Sequence, residues 1–359
     1  TLRPGAKNSP AKKGKTLAEG IGEVRRAAQI LRYYGNAADR ETGTVYSSPR
    51  SSEQILVTRK PLGVVGVVTP FNFPIAIPAW KIAPALVYGN TVVWKPAAAV
   101  PLLAFRLAQA LTEAGLPDGV LNMILADSAA GEALVDHPDL DAVTFTGSTG
   151  VGRKIAGSAA ARGIPVQAEM GGKNAAVVLA DADLELAVEQ VMLGAFRSSG
   201  QKCTATSRLV LHESIAEEFL ARLTVEVKQL RVGDPLDPDV TTGPVVSAYA
   251  QQSIIEGDQS SRRRRRQGCG HRRSAAVGLL RPTDSAGTTV EHRTVVRGTL
   301  RPGTGGAAGS NNRRRIPLGE RGRIRFVRSI VHARPDQCTC RCRRSGRGDP
   351  ARQFGIGGR

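Results

Sequence analysis

The residues between Val64 and Thr146 alternate between short β-branched runs and longer stretches with helical spacing. Strands are predicted at Val64 to Thr69, Thr91 to Trp94, Val120 to Ile124 and Ala142 to Thr146. Helices are predicted from Pro78, over Pro101 to Ala114 and near Gly131. Strands that alternate with helices of about ten residues form parallel βαβ units. The sequence therefore predicts an α/β fold with a parallel sheet.

Polar motifs follow the predicted strands at their carboxyl ends. Asn72 comes after the first strand, Lys95 ends the second, and Gly147 and Ser148 follow the fourth. Open parallel sheets bind ligands in the crevice beyond the carboxyl ends of their strands. We therefore expect a binding site at this edge of the sheet.

Further elements are predicted on both sides of this block. An amphipathic helix over Leu17 to Tyr34 precedes two β-branched runs, Ile55 to Lys60 and Val64 to Val68, which are joined by a turn at Pro61-Leu62-Gly63. Later elements are a strand at Ala175 to Leu179, a helix capped by Asp181-Ala182-Asp183, a strand at Ser207 to Leu211 and a helix over Ile215 to Leu230. The predicted domains are an N-terminal helix and strand (1–60), a Rossmann-like sheet domain (61–168), a partial α/β domain (169–258) and an arginine-rich tail (259–359).

Cys203 and Glu169 are the predicted nucleophile and general base. Cys203 lies in Gly200-Gln201-Lys202-Cys203-Thr204, 34 positions after Glu169. A lone cysteine is commonly an inert buried residue. The polar neighbours of Cys203 instead favour a site lining, and Lys202 would favour the thiolate if its ammonium lay beside the sulfur. A thiolate attacks carbonyl carbon, and a carboxylate held in an apolar pocket can take a proton from water.

Five motifs occur in a fixed order. They are Pro70-Phe71-Asn72-Phe73-Pro74, Trp94-Lys95-Pro96, Phe145-Thr146-Gly147-Ser148-Thr149, Glu169-Met170-Gly171-Gly172-Lys173 and the cysteine segment. Together they resemble the aldehyde dehydrogenase superfamily, from about Gly14 to about Gly257. Within it, the segment from Gln201 to Arg208 is most similar to enzymes that oxidise 2,5-dioxopentanoate, also called α-ketoglutarate semialdehyde.

The resemblance implies a role for each catalytic candidate. Cys203 would add to an aldehyde, and the Asn72 amide beside the backbone N–H of Cys203 would bind the oxyanion. Without the motifs, turn statistics favour an ordinary turn asparagine for Asn72, and the complete set of motifs reverses that preference. Loss of hydride leaves a thioester, which water activated by Glu169 would hydrolyse to the acid. Lys81 corresponds to a lysine that passes protons near this glutamate.

The resemblance also implies a cofactor site for NADP or NAD. Lys95 would hold the adenosine ribose hydroxyls, and Gly147, Ser148 and Gly152 open a helix whose N-terminal amides can receive pyrophosphate. Many NAD-preferring relatives carry glutamate where this chain has Ala98. That carboxylate repels a 2′-phosphate, so we expect NADP to be accepted here.

The last 99 residues differ sharply in composition from the rest. Residues 1–260 hold 25 Lys and Arg against 26 Asp and Glu, whereas residues 261–359 hold 25 and 5, with no lysine. Only sixteen residues of this tail are Leu, Ile, Val or Phe, which predicts disorder. A reading-frame shift near Gln259 is one hypothesis for the change. The spacing in Cys338-Thr339-Cys340-Arg341-Cys342 does not fit a zinc site, and no metal is predicted.

Several functional classes remain to be compared. No run of eighteen apolar residues and no secretory signal is present, so a cytoplasmic protein without membrane contact is predicted. The expected partner is a small aldehyde, and the resemblance suggests a homo-oligomer. The family's Glu-x-Phe-Gly-Pro motif is missing, so one alternative is an inactive remnant. Another is nonspecific binding of nucleic acid by the basic tail, since specific recognition is not expected with Phe326 and Phe354 as its only aromatic residues.

Overall fold

A computed structural model describes residues 14–37, 39, 43–266, 276–277, 295–296 and 327–331. The helices are α1 (Leu17–Gly35), α2 (Ala76–Val87), α3 (Pro101–Glu113), α4 (Ser128–Asp136), α5 (Thr149–Ala161), α6 (Leu184–Phe196), α7 (Ala216–Gln229) and α8 (Ala248–Arg266). The strands are β1 (Gly43–Ser47), β2 (Gln54–Thr58), β3 (Val64–Val68), β4 (Thr91–Lys95), β5 (Leu121–Met123), β6 (Ala142–Gly147), β7 (Val166–Met170), β8 (Asn174–Val178), β9 (Thr206–Leu211), β10 (Ala276–Val277), β11 (Val295–Val296) and β12 (Val327–Val331).

The larger sheet has five parallel strands in the order β5-β4-β3-β6-β7. From β3 the chain moves outward on one side through β4 and β5, then returns to β6 and moves outward on the other side. The direction of winding therefore reverses between β3 and β6, where open α/β sheets bind ligands. This arrangement confirms the predicted parallel α/β fold.

Helices cover both faces of this sheet. Val65 and Val67 of β3 pack in one cluster with Ile82, Trp94 and residues of α3. Their neighbours Val64 and Val68 pack against a second cluster that contains residues of α4 and α5. Because successive side chains of a strand point to opposite faces, the two clusters lie on opposite sides of the sheet.

A smaller parallel sheet has the strand order β12-β8-β9. Its core cluster joins β8 and β9 to α6 and α7, and Phe219 is fully buried there. The Asp183 side chain caps α6 by accepting the Leu186 N–H at 3.1 Å, as the sequence predicted. Strand β12, which pairs with the edge of β8, was not predicted. The tail cysteines and most of the predicted disordered tail lie outside the described residues.

The helix α1 matches its predicted extent, and a capping box of Thr16 and Glu19 starts it. The runs on either side of Pro61-Leu62-Gly63 do form β2 and β3, but these strands belong to different sheets. Strand β2 pairs instead with β1, an antiparallel partner that the sequence analysis missed. In the linker, the N–H groups of Leu62 and Gly63 donate to the Asn90 side chain, which ties the start of β3 to the turn before β4.

Candidate active site

Lys81 is a buried side chain of α2 that reaches across two strands of the larger sheet. Its Nζ donates to Thr144 Oγ1 at 2.7 Å, to the Phe145 carbonyl at 3.2 Å and to Gln167 Oε1 at 3.2 Å. These bonds use all three of its hydrogens. Burial lowers the pKa of Lys81 to about 8, and the negative charge of Glu169 partly opposes that shift. Lys81 is therefore within electrostatic reach of the predicted base.

Glu169 lies near the carboxyl end of β7, opposite Thr146 of β6 in the strand register. Its side chain is exposed, as are those of Val166 and Gln167 on the same strand. The predicted apolar pocket around this carboxylate is therefore wrong for the structure described here. Within the described residues β7 is the edge strand of its sheet, so its side chains have neighbours from one adjacent strand instead of two.

Asn72 lies in the loop between β3 and α2, where it contacts the cysteine segment. Its Nδ2 donates to the Gln201 carbonyl at 2.8 Å. A side-chain amide nitrogen carries two hydrogens, so this bond leaves a second donor. The Asn72 Oδ1 atom is buried and has no hydrogen-bond partner within the described residues. The structure thus brings Asn72 within two residues of Cys203, although 131 positions separate them in the sequence.

Cys203 is an exposed free thiol in the loop after α6. The loop begins with a single 3-10 turn, Arg197–Gly200, in which Ser198 and Ser199 have φ angles of 55° and 54°. The adjacent Lys202 donates to the Leu193 carbonyl at 3.3 Å. Its ammonium is therefore directed to the end of α6, and this contact gives no support to the suggestion that it activates the sulfur.

Asn174 binds the cysteine loop and was not predicted as a site residue. It begins β8, five residues after Glu169, and its Nδ2 donates to the Cys203 carbonyl at 2.7 Å and to the Ala205 carbonyl at 3.2 Å. The signal was its place at the end of the glutamate motif, directly before a β-branched run. One side chain therefore fixes the cysteine loop to the strand that follows the glutamate.

A separate cavity of about 320 Å³ lies at the carboxyl ends of β3 and β4, between α4 and α5. It is lined by Val68, Lys95, Ser128, Gly131, Glu132, Val135, Asp136, Val151, Lys154, Ile155 and Ser158. Lys95 is 9% exposed, and burial lowers its pKa, while nearby Asp127 opposes that shift. A Cβ atom on Gly131 would lie 3.0 Å from Cδ and Cε of Lys95. Glycine therefore leaves the room that this lysine occupies.

The predicted segment from Gly147 to Gly152 does open a helix, α5, with Ser148 as its N-cap. A Cβ atom on Gly147 would lie 2.5 Å from the Phe145 ring, and one on Gly152 would lie 2.7 Å from Met170. Both glycines thus permit close packing within the sheet domain. These residues and the exposed Ala98 do not line the cavity, whereas Val151 and Lys154 of the same helix do and were missed.

Within the described ranges, no three His, Cys, Asp or Glu residues group in a way that could hold a metal ion. None of the helices described is both long and apolar enough to cross a membrane.

Comparison with known proteins shows the family of the chain. The family model for aldehyde dehydrogenases matches residues 6–283, more than half of the chain. The chain belongs to the aldehyde dehydrogenase family. The match extends beyond Gln259, where the composition begins to change.

The family relatives include proteins acting on semialdehydes. The chain is 51% identical over 235 residues to an alpha-ketoglutaric semialdehyde dehydrogenase of Bacillus subtilis, covering 65% of this chain and 48% of that protein. It is 44% identical over 237 residues to a 2,5-dioxopentanoate dehydrogenase of Saccharolobus solfataricus, covering 65% and 49%. The chain therefore spans about half the length of these curated relatives.

Solved structures of the family have the same fold. A betaine aldehyde dehydrogenase from Staphylococcus aureus, solved in complex with NAD+, is similar with a TM-score of 0.74 and 31% identity. The similarity covers 81% of this chain and 57% of that one. This agreement supports the fold described above, including the two parallel sheets.

Proposed function

We propose that this chain oxidises an aldehyde to a carboxylic acid with NAD or NADP, using Cys203 as nucleophile and Glu169 as general base. The observation that carries the proposal is the hydrogen bond from Asn72 to the Gln201 carbonyl, two residues from the free thiol. Similarity to the semialdehyde dehydrogenases supports 2,5-dioxopentanoate as the substrate.

The first step forms a bond between Cys203 Sγ and the carbonyl carbon. The electron pair of the carbonyl moves to oxygen, which becomes an anion. The second hydrogen of Asn72 Nδ2 and the backbone N–H of Cys203 can both donate to this oxygen, as in other oxyanion sites. Asn174 supports the geometry because it holds the carbonyl of Cys203 itself.

NAD or NADP, when bound, would supply the hydride acceptor that converts the adduct into a thioester on Cys203. The cavity fits the adenosine end of such a cofactor, because a buried ammonium lies beside the N-terminal turn of α5. Lys95 can donate to ribose hydroxyls, and the free N–H groups of α5 attract phosphate. Ala98 is exposed and carries no charge, which supports acceptance of the 2′-phosphate of NADP.

The last step hydrolyses the thioester. Glu169 takes a proton from water, the hydroxide oxygen adds to the carbonyl carbon, and the carbon–sulfur bond breaks to release the acid and the thiolate. Lys81 can take this proton from Glu169 once its ammonium has released a proton to solvent, because only the neutral amine has a free electron pair. A pKa of about 8 suits this relay, since such an amine gains and loses a proton close to neutral pH.

Steady-state kinetics of the full chain test the proposal. The purified protein is assayed with 2,5-dioxopentanoate, betaine aldehyde and a short aliphatic aldehyde, each with NAD and with NADP, by the absorbance of the reduced nicotinamide. We expect aldehyde-dependent reduction that Cys203→Ser abolishes and Cys269→Ser leaves intact. Folded protein that gives no reduction with any aldehyde contradicts the proposal and favours an inactive remnant.

A further inference from the structure

Helix α1 carries two carboxylates, Glu19 and Glu23, one turn apart on the same face. Neither residue belongs to the motifs that predicted the active site. Glu23 is 4% exposed, and the side chain of Glu19 is 10% exposed. Each carboxylate binds backbone N–H groups of a different loop of the candidate active site.

Glu23 holds the loop that carries Asn72. Its Oε1 accepts the N–H groups of Ile75 at 2.9 Å and Ala76 at 3.3 Å, at the start of α2. The N-cap residue of α2, Ile75, makes no side-chain capping bond, so Glu23 supplies the cap from another helix. Lys15 binds Glu23 Oε2 at 2.8 Å and lies 3.5 Å from the centre of the Phe73 ring. These contacts surround the segment that follows Asn72.

Glu19 holds the turn that leads to Cys203. Its Oε1 accepts the Ser198 N–H at 2.7 Å and the Ser198 hydroxyl at 3.2 Å. Ser198 and Ser199 are the two residues other than glycine with positive φ in the described chain. A backbone of this kind is strained and persists only where surrounding contacts hold it. Ser199 has its own tie, a 2.6 Å bond to the Gly243 carbonyl.

We propose that Glu19 and Glu23 are positioning residues that hold the cysteine loop and the Asn72 loop in register, so that the oxyanion donor stays aligned with Cys203. The hydrogen bond between Asn72 and Gln201 joins the two loops at the far end from α1. Helix α1 is therefore a rigid spacer between the two loops, and the contact between Asn72 and Gln201 depends on it. This inference rests on the proposed function, because it assigns both residues to the same chemistry.

Two reagents that react with the Cys203 sulfur distinguish loss of alignment of the oxyanion donors from a change in exposure of the thiol. A nitrophenyl ester acylates Cys203 by forming a carbon–sulfur bond and expelling nitrophenolate, and this reaction generates an oxyanion. Iodoacetamide alkylates the same sulfur by displacing iodide and generates none. Neither reaction needs the cofactor. Acylation is measured as the part of the nitrophenolate release that is lost in Cys203→Ser. Alkylation is measured by mass spectrometry of peptide 203–208.

The first comparison is Glu19→Ala against Glu19→Gln. We expect Glu19→Ala to lower the acylation rate about tenfold, as misalignment of an oxyanion donor does, while alkylation changes less than about twofold. Glu19→Gln keeps an oxygen that can accept the Ser198 N–H, so acylation should stay within about threefold of the parent. Glu226→Ala, at an exposed position of α7, is the matched control and should change neither rate.

The second comparison avoids leaving a buried charge without its partner. Lys15→Met is combined with Glu23→Leu or with Glu23→Gln, so that the ion pair is removed in both proteins. The leucine version should lose about tenfold in acylation, and the glutamine version should retain most of it, because an amide oxygen can still cap α2. Circular dichroism confirms that each variant is folded.

The outcomes distinguish this inference from the proposed function. If acylation and alkylation fall together, or if acylation is unchanged in both comparisons, the positioning role is wrong while the proposed function stands. If the parent protein shows no acylation that depends on Cys203, the proposed function fails and the positioning role fails with it.

Discussion

Lys95 and Cys203, the side chains proposed to meet the cofactor and the aldehyde, lie in contrasting surroundings. Lys95 is buried at the wall of a cavity formed by consecutive strands and helices of the larger sheet. Cys203 and Glu169 are exposed, and the cysteine loop is held by the side chains of Asn72 and Asn174. The contrast teaches that neighbouring strands and helices of one sheet layer can enclose a cavity between them. The thiol site instead requires contacts between parts of the chain that are far apart in sequence.

The largest expected effect concerns the exposed site that contains Cys203 and Glu169. Glu169→Gln removes the group that takes a proton from water, so thioester hydrolysis should slow roughly 1000-fold. Acyl transfer to Cys203 should persist, giving one rapid equivalent of reduced nicotinamide followed by almost no turnover. Stopped-flow absorbance and mass spectrometry of the acylated peptide measure both. Glu226→Gln is the control, and full turnover by Glu169→Gln would show that another base acts here.

A second prediction concerns Lys81, which is buried between the two regions. Its pKa is about 8 in the folded protein and 10.5 without burial, so the unfolded chain binds more protons between these values. Stability therefore rises as pH increases through this window, by about 2 kcal/mol between roughly pH 7.5 and 9.5 from this group. Urea unfolding followed by the fluorescence of buried Trp94 measures it.

The matched variant for that experiment is Lys81→Met, which does not titrate. It is expected to be less stable at every pH, because the oxygens around Lys81 lose their donor. The comparison therefore uses the difference in pH dependence between the two proteins. Equal slopes for parent and variant would place the pKa of Lys81 near its ordinary value.

The third prediction tests the cofactor side. Ala98→Glu introduces a carboxylate where the 2′-phosphate of NADP is expected, so NADP should bind at least about tenfold more weakly through like-charge repulsion. NAD binding should change little. Ala99→Glu adds the same charge at the next exposed position and is the control. Equilibrium titration with each cofactor decides, and equal losses for both cofactors would remove Ala98 from the site.

The smallest expected effect concerns Gly131 in the cavity, where cofactor affinity and folding stability should change in different directions. Gly131→Ala places a methyl group 3.0 Å from Cδ and Cε of Lys95, and this flexible side chain must shift. Cofactor affinity should fall about threefold as one charge-assisted hydrogen bond weakens. Stability should stay equal or rise by about 0.5 kcal/mol, since alanine favours helix. Gly157→Ala in α5, where a Cβ meets open space, should leave cofactor binding unchanged.

The elements that were predicted well are those whose signal lies within one short segment. Periodicity and capping located α1, α3 and α6, and the alternation of β-branched runs located the parallel strands. Strand β7 was missed although Val166, Ala168 and Met170 alternate with polar residues, because five residues are a short run for such a signal. Strand β1 was missed because all five of its residues are exposed and its sequence shows no buried face.

The candidate site divides in the same way. Asn72, Lys81, Glu169 and Cys203 were named from local motifs, and the structure ties Asn72 to the cysteine segment. Glu19 and Glu23 were not named, because carboxylates on an amphipathic helix are ordinarily solvated. Their contacts with Ser198 and Ile75 span 179 and 52 positions, and no local pattern records such pairings.

The sequence by itself determined the parallel α/β architecture and the order of the motifs, and it supplied the candidates for the reactive groups, because these depend on residue type and short-range spacing. Tertiary structure alone decided that Glu169 is exposed, that Lys95 lines a cavity and that α1 holds two loops of the site. Burial and long-range hydrogen bonds depend on which segments meet after the chain has folded. That information is distributed over the whole molecule and is absent from any single stretch of it.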